Sequence, residues 1–202
     1  MKKMRVGVLI SGRGSNLLAL IDACSAPDFP AEIALVISNS AGAGGLAHAE
    51  KAGIPTAVIA HKDFPSREAF DEAMDEELRA SGIEFICLAG FMRLLSAKFV
   101  ARWQGRIVNI HPSLLPAFKG LHVHEQALAA GVSVSGCTVH YVVPELDAGP
   151  IILQAEVPVE PNDTPASLAA RVLEQEHRIY PEALKLAAEN RVRLENGKAV
   201  FD

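Results

Sequence analysis

The stretch VNIHPSLLP places Asn109 and His111 two residues apart at the end of an apolar run. Residues so spaced on a strand point to the same side. A hydrogen-bond donor and a titratable base are then held side by side, facing one reacting group. Pro112 and Pro116 follow. Each fixes its own φ and restricts the residue before it, so they hold the loop in one shape without adding chemistry. A histidine working as acid or base needs an orienting partner. The loop PELDAGP offers Glu145 and Asp147, and the sequence does not choose between them. A carboxylate there would favour the imidazolium.

A second group is Ser11-Gly12-Arg13-Gly14-Ser15-Asn16. Glycines let backbone amides approach an anion, and a helix N-terminus favours negative charge. No Gly-Lys-Ser/Thr follows, so this is not a nucleoside-triphosphate loop. Leu17 stands where the dinucleotide fingerprint has its third glycine. A single phosphate fits better than a pyrophosphate. A third candidate is Glu176, which projects close to the apolar face drawn by Leu168, Val172, Ile179 and Ala183. A carboxylate there needs a partner, such as the hydroxyls of a polar ligand. His122 and His124 form a His-x-His pair and His140 lies in a strand, but no third ligand is evident and no metal site is expected. With no Gly-x-Ser-x-Gly and no cysteine beside a histidine motif, covalent catalysis has little support.

These groups need elements to position them. Apolar runs at Met4–Ile10, Ile33–Ser38, Thr56–Ile59, Phe85–Ala89 and Arg106–Ile110 read as strands. Helices are expected at Leu17–Cys24, Ala43–Ala52, from Asp63–Ser66 to Gly82, and at Ala97–Trp103. That alternation predicts a parallel sheet with helices on its faces and a ligand at the carboxyl ends of the strands. Val132–Val143 and Ile151–Val159 read as longer strands, joined by the turn Pro144–Pro150 and able to pair antiparallel. A last helix, capped by Thr164 with Pro165 at its first position, is expected to run to about Tyr180. The fold class is α/β: a Rossmann-like, mostly parallel twisted sheet flanked by helices, with antiparallel strands in the C-terminal part. One domain over residues 1–202 is the simplest account.

Composition sets outer bounds. The 202 residues are 50% hydrophobic and carry a formal net charge of −5. The length suits one large core, and the acidic balance argues against nucleic acid as the main ligand. Three cysteines with no CxxC pair fit a reducing, cytoplasmic compartment. The N-terminal lysines and apolar run mimic a signal peptide, but Gly7 and the glycine loop interrupt it too soon. No stretch approaches the roughly 18 apolar residues of a membrane helix.

The motifs SGRGSNL, AGFMRLLS, NIHPSLLP, GLHVH, ELDAGPII and QEHRIYP, in this order, closely resemble the glycinamide ribonucleotide formyltransferase family of purine synthesis. The resemblance runs from Val6 to about Tyr180. It implies transfer of a formyl group from the co-substrate 10-formyltetrahydrofolate to glycinamide ribonucleotide, with no metal. The N-terminal half would bind the ribonucleotide and the C-terminal half the folate. By this resemblance Gly14, Ser15 and Asn16 hold the substrate phosphate, and Glu176 contacts the ribonucleotide. Asn109, His111 and Asp147 are catalytic. Met92, Arg93, Leu94 and Leu95, with Val143, Pro144, Glu145, Leu146 and Asp147, line the folate pocket largely through backbone atoms. Arg67 lies near it, and Asn109 reaches it. Asn109 and protonated His111 would donate to the oxyanion of a tetrahedral intermediate. Asp147 would keep His111 charged or orient a proton-relaying water.

Pro144 stands where many members carry a polar residue, and Arg13 is larger than the family leads one to expect. A related Asn-x-His motif occurs in methionyl-tRNA formyltransferase and formyltetrahydrofolate hydrolase. The hydrolase is expected to carry an extra N-terminal domain and the tRNA enzyme a basic C-terminal one. This chain starts at its first strand, and about twenty residues follow Tyr180. The expected partners are the two small substrates, with no nucleic acid or membrane, and the expected state is a monomer or homodimer.

Overall fold

Strands that are apolar along their whole length must be covered on both faces. The computed structural model, which describes residues 2–202, shows how this chain does so. Strand β1 (Met4–Ile10) is buried from Val6 onward, and β4 (Phe85–Leu88) is buried throughout. They lie side by side at the centre of a seven-stranded sheet of order β3-β2-β1-β4-β5-β6-β7. Here β2 is Ala31–Ser38, β3 Thr56–Val58, β5 Ile107–His111, β6 Val134–Tyr141 and β7 Ile151–Pro158. The first five are parallel, whereas β6 runs antiparallel to β5 and β7 antiparallel to β6.

Two cores follow from the two-residue period of the strands. Val6, Val8 and Ile10 face one side, with Leu17 and Leu20 of α1 (Ser15–Cys24), Leu46 of α2 (Gly45–Lys51) and Leu168, Val172 and Ile179 of the last helix. Leu9, Ile86 and Leu88 face the other, with Phe70, Met74 and Leu78 of α3 (Arg67–Ala80) and Phe99 of α4 (Ala97–Arg102). Chain order reverses between β1 and β4, so their carboxyl ends open a crevice at the switch point.

Several boundaries differ from the expectation. His111 is the last residue of β5 rather than the first of the loop. The short helix α5 (Val123–Ala129) was not foreseen, since seven residues carry no full apolar stripe. The last helix, α6, spans Pro165–Ala188 and passes Tyr180 with Pro181 inside it. Proline in a helix interior costs about 3 kcal/mol, yet Ala183, Leu184 and Ala187 beyond it are buried. Their packing outweighs the lost hydrogen bond. The tail forms a hairpin of β8 (Val192–Glu195) and β9 (Lys198–Phe201), with Val192 buried.

The β6–β7 pair has no slack at Gly136, where an added Cβ would sit 2.0 Å from the carbonyl oxygen of Ala155 and 2.8 Å from Leu114 Cδ2. Gly136→Ala must push the two strands apart, and overpacking of this kind costs about 1–3 kcal/mol. Urea unfolding is expected to show a lowered midpoint. A wild-type midpoint would mean that the strand pair yields freely.

Candidate active site

The glycine loop leaves β1 at Ser11 and enters α1 at Ser15. Gly14 has φ 76°, and a Cβ there would meet Gly45 Cα at 2.5 Å. Glycine is therefore required for both conformation and space. The Gly45 N–H donates to the Gly12 carbonyl at 3.0 Å, which packs the start of α2 onto the loop. No side chain caps α1, so its first-turn N–H groups are left for an anion. The loop, with Ala89, Gly90 and Met92, lines a cavity of about 230 Å³. Ser15, Asn16 and Gly14 are thus brought together around a space that a phosphate can enter. Arg13 joins them as the charged residue of the lining.

Glu176 is more deeply placed than the edge of an apolar stripe. It is 7% exposed, and Asn16 Nδ2 donates to its Oε1 at 3.3 Å. Burial pushes its carboxyl up to about 7, partly offset by the Asn16 bond. Asn16 Oδ1 is buried with no protein partner. The α1 and α6 side chains thus present incompletely satisfied polar atoms, as expected of a pair awaiting a polar ligand.

Asp147, rather than Glu145, is the partner of His111. Its Oδ2 lies 3.6 Å from His111 Nδ1, and both side chains are buried. Asp147 adopts φ 49°, and its Oδ2 also accepts the Gly120 N–H at 2.8 Å. Glu145 is exposed. His111 Nε2 donates to the Phe118 carbonyl at 2.8 Å, so this proton is held by the chain itself. The loop after His111 is fixed by more than its prolines. Thr138 Oγ1 donates to the Ser113 carbonyl and accepts the Leu115 N–H, and Gln154 Nε2 donates to the Leu115 carbonyl.

Sequence reasoning missed His140, which orients Asn109. Its Nδ1 faces the Tyr141 carbonyl at 2.9 Å, and a carbonyl only accepts, so Nδ1 carries the proton. Nε2 is then an acceptor and takes one amide hydrogen of Asn109, 3.3 Å away. Burial lowers the His140 pKa and favours this neutral form. The Asn109 amide is thereby fixed with its second N–H unspent. The signal was the register: Asn109 and His140 are direct cross-strand partners.

The folate-lining candidates lie on two loops. Met92, Leu94 and Leu146 expose large apolar surface, at 67%, 55% and 50%. Arg93, Pro144 and Arg67, the first residue of α3, are exposed as well, while Val143 is half-buried. Leu95 turns inward onto the second core. Among the described residues, no group of three or more His, Cys, Asp or Glu side chains is arranged as metal ligands. His122 is exposed beside Glu125.

Glu176 generates a pH dependence. Its folded pKa lies above the ordinary 4.5, so the folded chain binds this proton more tightly than the unfolded one. That stabilisation is present below about pH 4.5 and is lost as pH rises through 7. The amount is on the order of 3 kcal/mol. Glu176→Gln is expected to flatten the urea midpoint between these pH values. An unchanged slope would mean that another group carries it.

A family model described as formyl transferase matches residues 4–184. Phosphoribosylglycinamide formyltransferase of Haemophilus influenzae is 46% identical over 198 residues, covering 98% of this chain and 93% of that protein. The trifunctional purine biosynthetic protein adenosine-3 of Bos taurus is 58% identical over 198 residues, and the chain spans 20% of its length. In structure, glycinamide ribonucleotide transformylase 1 of Symbiobacterium toebii matches with a TM-score of 0.96 at 49% identity, covering 98% of this chain and 94% of that one. With this fold, this site and these relatives, the chain belongs to the formyl transferase family, among the phosphoribosylglycinamide formyltransferases.

Proposed function

We propose that this protein transfers the formyl group of 10-formyltetrahydrofolate to the amine of glycinamide ribonucleotide. The observation that carries the reading is the buried His111–Asp147 pair two residues from an Asn109 whose amide is already oriented. In this reading the phosphate lies in the loop of Gly14, Ser15 and Asn16, and the ribose hydroxyls reach Glu176. The folate packs on Met92–Leu95 and Val143–Asp147, with Arg67 at its margin. The exposed apolar side chains of those loops fit a flat, partly apolar ligand. Folate supplies a formyl group on a nitrogen that can leave.

The new bond joins the substrate amine to the formyl carbon, the bond to the folate nitrogen breaks, and one proton moves between the two nitrogens. Asn109 donates its unspent N–H to the formyl oxygen as that oxygen gains charge. His111 donates to the same oxygen once its Nε2–H turns from the Phe118 carbonyl. A pre-positioned donor of this type is worth about 3–4 kcal/mol in the transition state. Asp147 holds the ring from the Nδ1 side. Holding both substrates in line supplies much of the remaining acceleration.

The protein is taken to act as one functional unit over residues 1–202, as a monomer or homodimer in the cytoplasm. No helix among the described residues is long and apolar enough to cross a membrane. Cys24, Cys87 and Cys137 are all free thiols, which supports a reducing compartment.

The deciding assay follows folate absorbance with and without glycinamide ribonucleotide. Turnover only with the ribonucleotide is expected. Equal turnover without it would make water the acceptor and the protein a hydrolase. His111→Ala and Asp147→Asn are each expected to lower kcat by about a hundredfold or more with modest changes in KM. Near-normal turnover in either would remove that residue from the mechanism. Ser15→Asp sets a negative charge in the phosphate loop and is expected to raise KM for the ribonucleotide far more than for the folate. An equal rise in both would sink the loop assignment.

A further inference from the structure

The loop between β4 and α4 carries Met92 and Leu94 out to solvent, so burial of these side chains does not hold it. Phe91 stacks against Phe70 and Leu95 turns to the second core, which anchors side chains but not peptide groups. Backbone pairing does not hold it either. Among the described residues, no backbone–backbone hydrogen bond outside the helices and strands involves residues 90–95.

Two side chains supply the missing acceptors, one toward each end. Ser11 Oγ accepts the Met92 N–H at 2.8 Å. Asp71 Oδ2 accepts the Ser96 N–H at 2.6 Å. Both acceptors are themselves oriented or confined. The Ser11 hydroxyl gives its only proton to Asn39 Oδ1 at 2.6 Å, which turns its lone pairs toward Met92. Asn39 Nδ2 is held in turn by His61 Nδ1 at 3.2 Å. Asp71 is 2% exposed, and its Oδ1 is buried with no partner. Burial raises its pKa, while the Ser96 N–H acts in the opposite sense. A carboxylate in such surroundings is costly. A residue kept only for helix packing would be apolar there.

We propose that Ser11 and Asp71 are positioning residues of the folate subsite, fixing the peptide groups of the 90–95 loop from its two ends. Met92–Leu95 would engage folate largely through backbone atoms, so the direction of those peptide groups sets how well folate binds. The inference rests on the proposed function, in which this loop is the folate wall. Ser11 adds a second consequence. It opens the phosphate loop as well, so one hydroxyl sets the separation of the two substrate loops.

The test is steady-state kinetics on the full chain with each substrate varied, together with the thermal midpoint and direct binding of the stable deaza analogue of 10-formyltetrahydrofolate. Ser11→Ala and Asp71→Ala are expected to raise KM for the folate about five- to tenfold, the loss of one net hydrogen bond. Asp71→Ala should leave KM for the ribonucleotide near wild type. Asp71→Asn keeps an acceptor oxygen and drops the charge, so its folate KM should return to near wild type. A role in stability alone would lower the midpoint without this split or this rescue. An unchanged folate KM in Ser11→Ala or in folded Asp71→Ala would overturn the proposal. So would equal rises in both KM values in folded Asp71→Ala, or an Asp71→Asn as impaired as Asp71→Ala. Should Asp71→Ala not fold, Ser11→Ala decides.

Wild-type protein with no ribonucleotide-dependent turnover would overturn the functional reading. In that event, analogue binding weakened in Ser11→Ala would still support the positioning role. No analogue binding by the wild type would overturn both.

Discussion

The hydroxyl of Tyr180 donates to the carbonyl of Leu88 at 2.6 Å, with the Val108 carbonyl at 3.3 Å. Leu88 ends β4, and Val108 lies in β5. This contact seats α6 against the two strands that end at the site. Glu176 is one helical turn before Tyr180, so it shares that face and arrives beside Asn16. Tyr180 is fully buried, and its one polar atom is satisfied by backbone. A tyrosine so placed fixes both the height and the rotation of the helix, which apolar packing alone leaves softer.

Much of this was legible in the sequence because the signals are local. The five parallel strands are apolar runs, Ser66 and Thr164 announce their helices, and the glycine loop sits between the first strand and first helix. The Asn109–His111 spacing gave one shared strand end. What was not legible depends on register and on packing between distant segments. His140 became a partner of Asn109 only through the antiparallel pairing of β5 and β6. Asp147 was separated from Glu145 only by the backbone turn at φ 49° that returns its carboxylate to His111. The end of α6 was placed too early because Pro181 is a strong local breaker and the buried residues beyond it act from a distance. The family resemblance named candidate residues that local patterns do not reach, the two apolar loops above all.

The polar groups of the site share one design. Asn16 with Glu176, His140 with Asn109, and Ser11 with Met92 each join residues far apart in the chain. Each pair leaves a donor or acceptor unspent or constrains its direction. In a buried setting such bonds select one arrangement strongly, because the alternatives strand a polar atom away from water. The chemistry then meets groups whose orientation has been settled by folding.

Gly14 and Gly45 meet backbone to backbone, with no side chain between the glycine loop and α2. Contacts made by side chains can breathe as rotamers exchange on the nanosecond scale. A backbone contact has no such freedom. On that side the glycine loop can therefore shift only if α2 moves with it as a rigid piece, carrying the Gly12–Gly45 hydrogen bond. That wall behaves as a fixed gauge whose position belongs to the packing of a helix, and the opposite wall of Ala89, Gly90 and Met92 is referred to it through Ser11.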